Sequence, residues 1–118
     1  MPWEVEQHPR FAEEMVDLEQ TVQDEILALA DALRRLGPQL RRPRSDTLKG
    51  SKHANMKELR FEAADGVWRV AYAFDPERKA ILLVAGDKSG GSQRRFYRAL
   101  IKRADDRFDE HLEALNVR

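Results

Sequence analysis

The chain has 118 residues, of which 42% are apolar and 36% charged, and it contains no cysteine. This length and composition predict one domain over residues 1–118 with a single modest core, and they exclude a disordered chain. The lack of cysteine excludes disulfide scaffolds, thiol nucleophiles and cysteine-bound zinc, and it fits the cytoplasm, where we expect the protein to act. We expect no signal peptide, because the start of the sequence has no basic segment followed by an apolar one. We expect no membrane span, because no apolar run approaches about 20 residues.

Charge is distributed unevenly along this chain, whose net charge is zero. Residues 1–33 carry a net −8, whereas residues 34–60 carry a net +7 and residues 86–104 a net +5. Because charges act within a Debye length of about 8–10 Å, a neutral total can contain a basic cleft. We therefore expect the two basic segments to form a surface for an anionic partner.

Apolar spacing predicts a short strand and then a helical region in the N-terminal third. Trp3 and Val5 alternate with acidic residues, which predicts a strand that ends near His8. Over residues 11–40, apolar side chains recur at spacings of three and four, the pattern of an amphipathic helix. The pattern leaves open whether this is one helix or two, with a break near residues 19–21.

A polar, basic loop over residues 38–55 precedes three predicted strands, and a loop of that length in a small domain is more often functional than not. The strand-like segments cover residues 56–63, 67–74 and 80–86, and a final amphipathic helix runs from about residue 92 to 115. The order predicts an α+β fold: an N-terminal strand, a helix or helical hairpin, a three-stranded antiparallel meander and a C-terminal helix. We expect the helices to pack on one face of the sheet.

Strand alternation predicts that two arginines meet on one face of the meander. If a turn of two or four residues joins its first two strands, Arg60 and Arg69 share a face with Glu58. Phe61 and Trp68 then share the opposite, core face, against the helical stripe. Like charges opposite one another in a ladder are destabilising unless an anion or a carboxylate offsets them. The pair therefore indicates either a phosphate-binding surface or a solvated face neutralised by neighbouring glutamates.

Further basic residues border this face. The last strand of the meander is expected to deliver Lys88 to it, with Leu82 on the same face, and Lys57 lies just before the arginines. Three more candidates lie in the preceding loop: Lys49, Lys52 and His53. His8 and His111 are most simply surface residues, and the histidines have no metal-ligand spacing, so we expect no metal and no cofactor. A metal-free cationic site can still cleave RNA, because the 2′-OH supplies the nucleophile.

Three stretches of the sequence are similar to a known toxin family. They are LKGSKHANMKELR at residues 48–60, WRVAYAFDP at residues 68–76 and LLVAGDK at residues 82–88. Together they resemble the RelE/ParE toxin superfamily, and most closely its HigB-like, phage-derived branch. The resemblance covers nearly the whole chain and implies the RelE-like microbial ribonuclease fold.

The resemblance implies the toxin of a type II toxin–antitoxin module, a metal-independent endoribonuclease that cleaves messenger RNA on the ribosome. The implied partners are messenger RNA, the ribosome and a cognate helix-turn-helix antitoxin, with no membrane, and with DNA contacted only through the antitoxin. The resemblance and the strand register together give five catalytic candidates: Lys57, Glu58, Arg60, Arg69 and Lys88. The RNA-binding candidates are Lys49, Lys52, His53, Asp87 and Tyr97.

The identity of the general base stays open at this point, among Lys57, Glu58, His53 and Asp87. Two other functions also stay open. One is a ParE-like inhibitor of DNA gyrase without nuclease activity, and the other is a non-catalytic RNA-binding phage accessory module.

Overall fold

A five-stranded sheet with helices on both faces forms the body of the molecule in a computed structural model, which describes residues 2–116. The strands are β1 (Glu4–Gln7), β2 (Ser45–Thr47), β3 (Lys57–Ala63), β4 (Gly66–Phe74) and β5 (Lys79–Asp87). The helices are α1 (Pro9–Met15), α2 (Gln20–Leu36) and α3 (Gln93–Asn116), and a short 3-10 turn (Gly37–Gln39) follows α2. The sheet order is β1-β5-β4-β3-β2, and the α+β class is confirmed.

Two features of the sheet go beyond the sequence prediction. The edge strand β2 lies inside the expected loop, where it pairs antiparallel with β3. At the other edge, β1 runs parallel to β5, and the meander of β3, β4 and β5 between these edges is antiparallel, as expected.

The expectation that all helices pack on one face is wrong. Helices α1 and α2 cover one face of the sheet and α3 covers the other. The interior strand β5, which lies between β1 and β4, makes this possible because it is apolar along most of its length. Leu82 belongs to the core under α1 and α2, whereas Ile81 and Leu83 belong to the core under α3.

The N-terminal helical stripe is two helices. Helix α1 begins after His8, whose Nδ1 accepts a hydrogen bond from the backbone N–H of Arg10 at 3.1 Å. His8 is only 6% exposed, so the expectation of a surface residue is wrong for it. Helix α2 ends at Gly37, where φ is +54° and a Cβ atom would overlap the indole of Trp3.

The faces predicted for β3 and β4 are confirmed, and the structure selects one of the two registers that the sequence allowed. Ala64 and Asp65 both have positive φ and form a two-residue turn, the type that suits a hairpin. As a result Ala63 pairs with Gly66, and Arg60 lies directly across from Arg69.

The core face of this hairpin is also as expected. The rings of Phe61 and Trp68 are stacked with their centroids 6.4 Å apart. Both side chains are partly buried, and they pack against the cluster that contains Ile26 and Leu29 of α2.

A β-bulge corrects one detail of β5. Val84 pairs with Ala71 but Leu82 pairs with Tyr72, so Leu83 is an extra residue between them. Gly86 lies opposite Arg69 on the α3 face. Leu82 does not share that face, because the extra residue turns it towards α1 and α2.

Hydrogen bonds from charged side chains attach the C-terminal half of α3 to the body of the molecule. Arg107 binds both carboxylate oxygens of Glu14 at 2.8 and 2.6 Å, and it donates to the carbonyl of Leu83 at 2.7 Å. His111 Nε2 lies 2.7 Å from the buried carboxylate of Asp75, so His111 is an anchoring residue rather than the free surface histidine expected. None of the helices described in residues 2–116 is long and apolar enough to span a membrane.

Candidate functional site

A buried glutamate, a buried arginine and a tyrosine meet where the middle of the hairpin faces the first turns of α3. Glu58 on β3 is 4% exposed and Arg69 on β4 is 5% exposed. The hydroxyl of Tyr97 donates to Glu58 Oε1 at 3.0 Å and accepts from Arg69 Nε at 3.2 Å. Arg69 also donates to the carbonyl of Trp68 at 2.9 Å, which holds its guanidinium across the strand.

A second arginine borders this centre on the side of the edge strand. Arg60 Nη1 lies 3.5 Å from Glu58 Oε2 and 3.6 Å from Asp46 Oδ2. Arg42 donates to the same oxygen of Asp46 at 2.8 Å, so Arg60 shares that carboxylate with another cation. Asp46 was not a sequence candidate, because the three-residue strand that carries it is too short to be recognised from alternation.

Lys88 completes the cluster from the end of β5. Its Nζ lies 5.9 Å from the centre of the Tyr97 ring. Burial and then the positive charges of Arg69 and Arg60 lower the pKa of Lys88. The sequence expectation that Lys88 reaches the arginine face is supported by this position.

The surroundings of the cluster shift the pKa values of Glu58 and Lys88 in opposite directions. Burial raises the pKa of Glu58, although the hydrogen bond from Tyr97 and the charges of Arg69 and Arg60 act the other way. The lowered pKa of Lys88 and the raised pKa of Glu58 both move towards neutrality. General acids and bases work best when their pKa values lie near the working pH.

Lys57 is the catalytic candidate that the structure separates from the others. Successive side chains of a strand point to opposite faces, so Lys57 shares the face of Leu59 and not that of Glu58. It lines a cleft with Trp3 and Phe74 instead. The expectation that Lys57 joins the two arginines is therefore corrected.

The basic loop before β3 is attached to the C-terminal half of α3 rather than to the cluster. Lys52 forms an ion pair with Asp109, and His53 Nε2 lies 2.8 Å from the same carboxylate. Ser51 hydrogen-bonds to Asp105, which adds a second attachment to α3. Lys49 is exposed.

Asp87 accepts hydrogen bonds from the start of β4 and from the loop after β5. Its Oδ1 accepts from the backbone N–H of Val67 at 3.0 Å and from both the N–H and the hydroxyl of Ser89, at 2.9 and 2.6 Å. These bonds lower the pKa of Asp87. They hold the start of the loop that carries Lys88, so Asp87 positions that lysine.

The arrangement suits an anion. Arg60, Arg69 and Lys88 surround one carboxylate, and Asp46, the nearest other acid, is shared with Arg42. Among residues 2–116, no group of three or more acidic or histidine side chains is placed to hold a metal ion. A phosphate could accept hydrogen bonds from the guanidinium groups, while Glu58 and Lys88 supply a proton acceptor and a proton donor.

Comparisons with known proteins identify the family of the chain. Residues 13–109 match the family described as phage derived protein Gp49-like. Two candidate toxins of Mycobacterium tuberculosis are similar in sequence: HigB2 is 44% identical over 88 residues and HigB3 is 42% identical over 87. Each match covers 74% of this chain. The matched region is 43% of the length of HigB2 and 74% of the length of HigB3.

The fold has a counterpart among solved structures. A doubly substituted mutant of the Escherichia coli toxin RelE, in the free state, superposes with a TM-score of 0.60 at 13% identity. The match covers 86% of this chain and 95% of the RelE chain, so the RelE-like fold is confirmed. Together these matches show that the chain belongs to the Gp49-like family, in the HigB-like branch of the RelE/ParE toxin superfamily.

Proposed function

We propose that the protein is the toxin of a type II toxin–antitoxin module and that it cleaves messenger RNA in the cytoplasm, on the ribosome, without a metal ion. The observation that carries this proposal is the hydrogen-bonded group of Glu58, Tyr97 and Arg69, with Arg60 and Lys88 beside it. A gyrase inhibitor needs no such group. The cluster therefore favours a nuclease.

The proposed reaction begins with the 2′-OH of the RNA. Glu58 is nearly buried, and the hydroxyl of Tyr97 donates to it, so Tyr97 lies between Glu58 and the solvent side. The 2′-OH gives its proton to the Tyr97 oxygen as Tyr97 passes its own proton to Glu58. The 2′-oxygen forms a bond to phosphorus. The raised pKa of Glu58 makes it a stronger base for this step.

The second half of the reaction releases the 5′-oxygen. Protonated Lys88 donates a proton to this oxygen as its bond to phosphorus breaks, and the lowered pKa makes Lys88 a better donor. Arg60 and Arg69 offset the charge that develops on the phosphoryl oxygens. The products are a 2′,3′-cyclic phosphate and a 5′-OH end.

The products supply the test. Purified protein is mixed with ribosomes programmed with a defined messenger RNA, in the presence of a chelator, and the ends are mapped. We expect cyclic phosphate ends, and we expect no cleavage when the attacking 2′-OH is replaced by hydrogen. Lys102→Ala is the matched control, because Lys102 is an exposed cation paired with Asp106 outside the cluster. If the protein inhibits growth and DNA gyrase while transcripts stay intact, the proposed nuclease activity is rejected.

The antitoxin is proposed to bind the acidic helical face rather than the basic cluster. Residues 1–33 carry a net −8, and α2 and the residue after α1 expose Leu27 (51%) and Val16 (73%) there. The triple variant Arg60→Ala, Arg69→Ala, Lys88→Ala should therefore bind the helix-turn-helix antitoxin with unchanged affinity and salt dependence. Loss of the complex would mean that the antitoxin covers the cluster directly.

A further inference from the structure

A cleft of about 350 Å³ lies on the opposite face of the sheet from Glu58, at the end where β3 begins. Its walls include two aromatic rings, two cations and small polar side chains: Trp3, Phe74, Lys57, Arg78, Thr47 and Asn55. This volume is at the lower end of the range for small-molecule sites and is sufficient for a nucleobase. The proposed reaction does not use the cleft.

The aromatic wall of the cleft is held in place. The rings of Trp3 and Phe74 make an edge-to-face contact with centroids 5.0 Å apart. The backbone N–H of Trp3 donates to the carbonyl of Arg34 at 2.8 Å, and Gly37 leaves room for the indole. The guanidinium of Arg78 lies 4.7 Å from the centre of the Trp3 ring. Unstacked RNA bases bind to such surfaces, stacking on aromatic rings and on arginine planes.

The charge of the cleft is positive. Within residues 2–116, neither Lys57 nor Arg78 lies within ion-pair distance of a carboxylate. Among the described residues that line the cleft, the acidic one is Asp75, and its oxygens are occupied. Oδ1 accepts from the backbone N–H groups of Glu77 and Lys79, and Oδ2 is hydrogen-bonded to His111. Two cations beside a flat aromatic wall fit a base with its phosphate.

The edge strand β2 connects this cleft to the proposed catalytic cluster. At one end, the backbone N–H of Arg60 donates to the carbonyl of Arg44, and at the other end Thr47 pairs with Lys57. A three-residue strand spans about 10 Å, so the two sites are close. Arg42 and Arg44 are exposed along the way. A strand of RNA could pass over this edge with its phosphates beside these arginines.

We propose that this cleft binds one unstacked nucleotide of the substrate RNA, so that the cleaved strand passes from the Glu58 cluster over β2 and is held there. The inference rests on the proposed function, because the strand concerned is the substrate. It assigns Lys57 a role in binding the RNA backbone and the guanidinium of Arg78, which lies over the Trp3 ring, a role in stacking a base.

The fluorescence of Trp3 tests this directly. In a Trp68→Phe background Trp3 is the remaining tryptophan, and Trp68 is expected to tolerate the change because its Nε1 makes no hydrogen bond among the described residues. The probe is a single-stranded RNA octamer with 2′-O-methyl groups, which the protein cannot cleave. We expect binding to change the Trp3 emission, and an abasic nucleotide at one position of the octamer to remove that change.

Charge variants then measure the contribution of the cleft. Lys57→Gln and Arg78→Gln should each weaken octamer binding about tenfold, within the range measured for single stacking or phosphate contacts. Arg35→Gln is the matched control, since Arg35 is an exposed cation paired with Asp31 on α2. Unchanged binding by the double variant Lys57→Gln, Arg78→Gln, with a silent Trp3, would overturn the inference.

Three further results separate this inference from its alternatives. If nucleoside monophosphates bind as tightly as the octamer, the cleft is a free-nucleotide site and the inference is wrong. If the double variant weakens binding of the antitoxin and not of RNA, the cleft is a protein-docking site and the inference is again wrong. If octamer binding depends on the cleft but RNA is not cleaved, the assignment of the cleft to an RNA nucleotide holds and the proposed nuclease fails.

Discussion

The Arg107–Glu14 cluster and the cluster around Glu58 both combine arginine with glutamate, and they differ in balance and in geometry. Arg107 and Glu14 form a matched pair, with two hydrogen bonds of 2.6 and 2.8 Å. Around Glu58, by contrast, Arg60 and Arg69 lie at 3.5 and 3.8 Å, and Lys88 adds a third positive charge. In the Arg107–Glu14 pair each charge has a short contact with its opposite. Around Glu58 the positive charges outnumber the carboxylate and lie farther from it.

The pKa shifts show what the difference means. The hydrogen bond from Arg107 lowers the pKa of Glu14, so the fold stabilises that carboxylate. Burial raises the pKa of Glu58, so the fold makes its ionised form less favourable than in water. A matched pair satisfies itself and joins α1 to α3. Around Glu58, burial disfavours the ionised carboxylate and the cations outnumber it, so positive charge remains to bind an anion.

The largest effect is expected from Arg69→Ala. Arg69 is proposed to offset charge on the phosphoryl group and also to donate to Tyr97, so cleavage should fall by about 1000-fold, the upper end for loss of one such donor. Initial cleavage rates on programmed ribosomes measure this. Arg69 is 5% exposed and donates to the carbonyl of Trp68, so the melting temperature should fall, and the rates are compared at a temperature where the circular dichroism spectrum shows a folded variant. A folded variant with full activity would remove Arg69 from the mechanism.

Tyr97→Phe should have the next largest effect. This change removes only the hydroxyl that joins Glu58 to Arg69, and the aromatic ring keeps its contact with Phe96. Loss of the proton relay should reduce the cleavage rate about 100-fold with a small change in KM. If KM rises and kcat does not change, Tyr97 binds RNA and another group carries the proton.

The sequence was sufficient to predict the features of the Glu58 cluster that depend on strand alternation. A period of two and a turn of two or four residues were enough to place Arg60 and Arg69 on one face with Glu58, and the two-residue turn of the structure sets the arginines opposite each other. The same alternation excludes Lys57 from that face, and the reasons to expect it there were its proximity in sequence and the family resemblance.

The remaining errors arose where structure depends on distant contacts. Strand β2 has three residues and is stabilised by its pairing with β3, so local propensity does not reveal it. The buried positions of His8 and Arg107 depend on where α3 docks, and α3 docks on the second face because of the apolar pattern of β5. The contact of Tyr97 with Glu58 spans 39 residues and has no local signal.

Arg107→Ala should separate the two clusters by affecting stability alone. Arg107 is 7% exposed, and its loss leaves the carbonyl of Leu83 without this donor. Glu14 is half-exposed and can be solvated, so we expect a loss of about 2 kcal/mol rather than the larger cost of an isolated buried charge. Urea denaturation measures it. At a temperature where the variant is folded, its cleavage rate should match that of the parent, whereas a rate defect would connect the pair to the active cluster.

The smallest effect, and the sharpest separation of the clusters, is expected in the pH dependence of stability. Glu14 has a lowered pKa, so its contribution is present above the ordinary glutamate value of 4.5 and is lost as the pH falls through the lowered pKa. Glu58 has a raised pKa, so its contribution is present below 4.5 and is lost as the pH rises through the raised pKa.

Glutamine variants of Glu14 and Glu58 measure these opposite pH dependences of stability. The free energy of unfolding of the parent minus that of Glu14→Gln should increase as the pH rises, and the same difference for Glu58→Gln should decrease. Urea denaturation across a pH series on both sides of 4.5 gives both curves. If the two differences change in the same direction, the Glu58 carboxylate is stabilised by its arginines as Glu14 is by Arg107, and the cluster is a structural one.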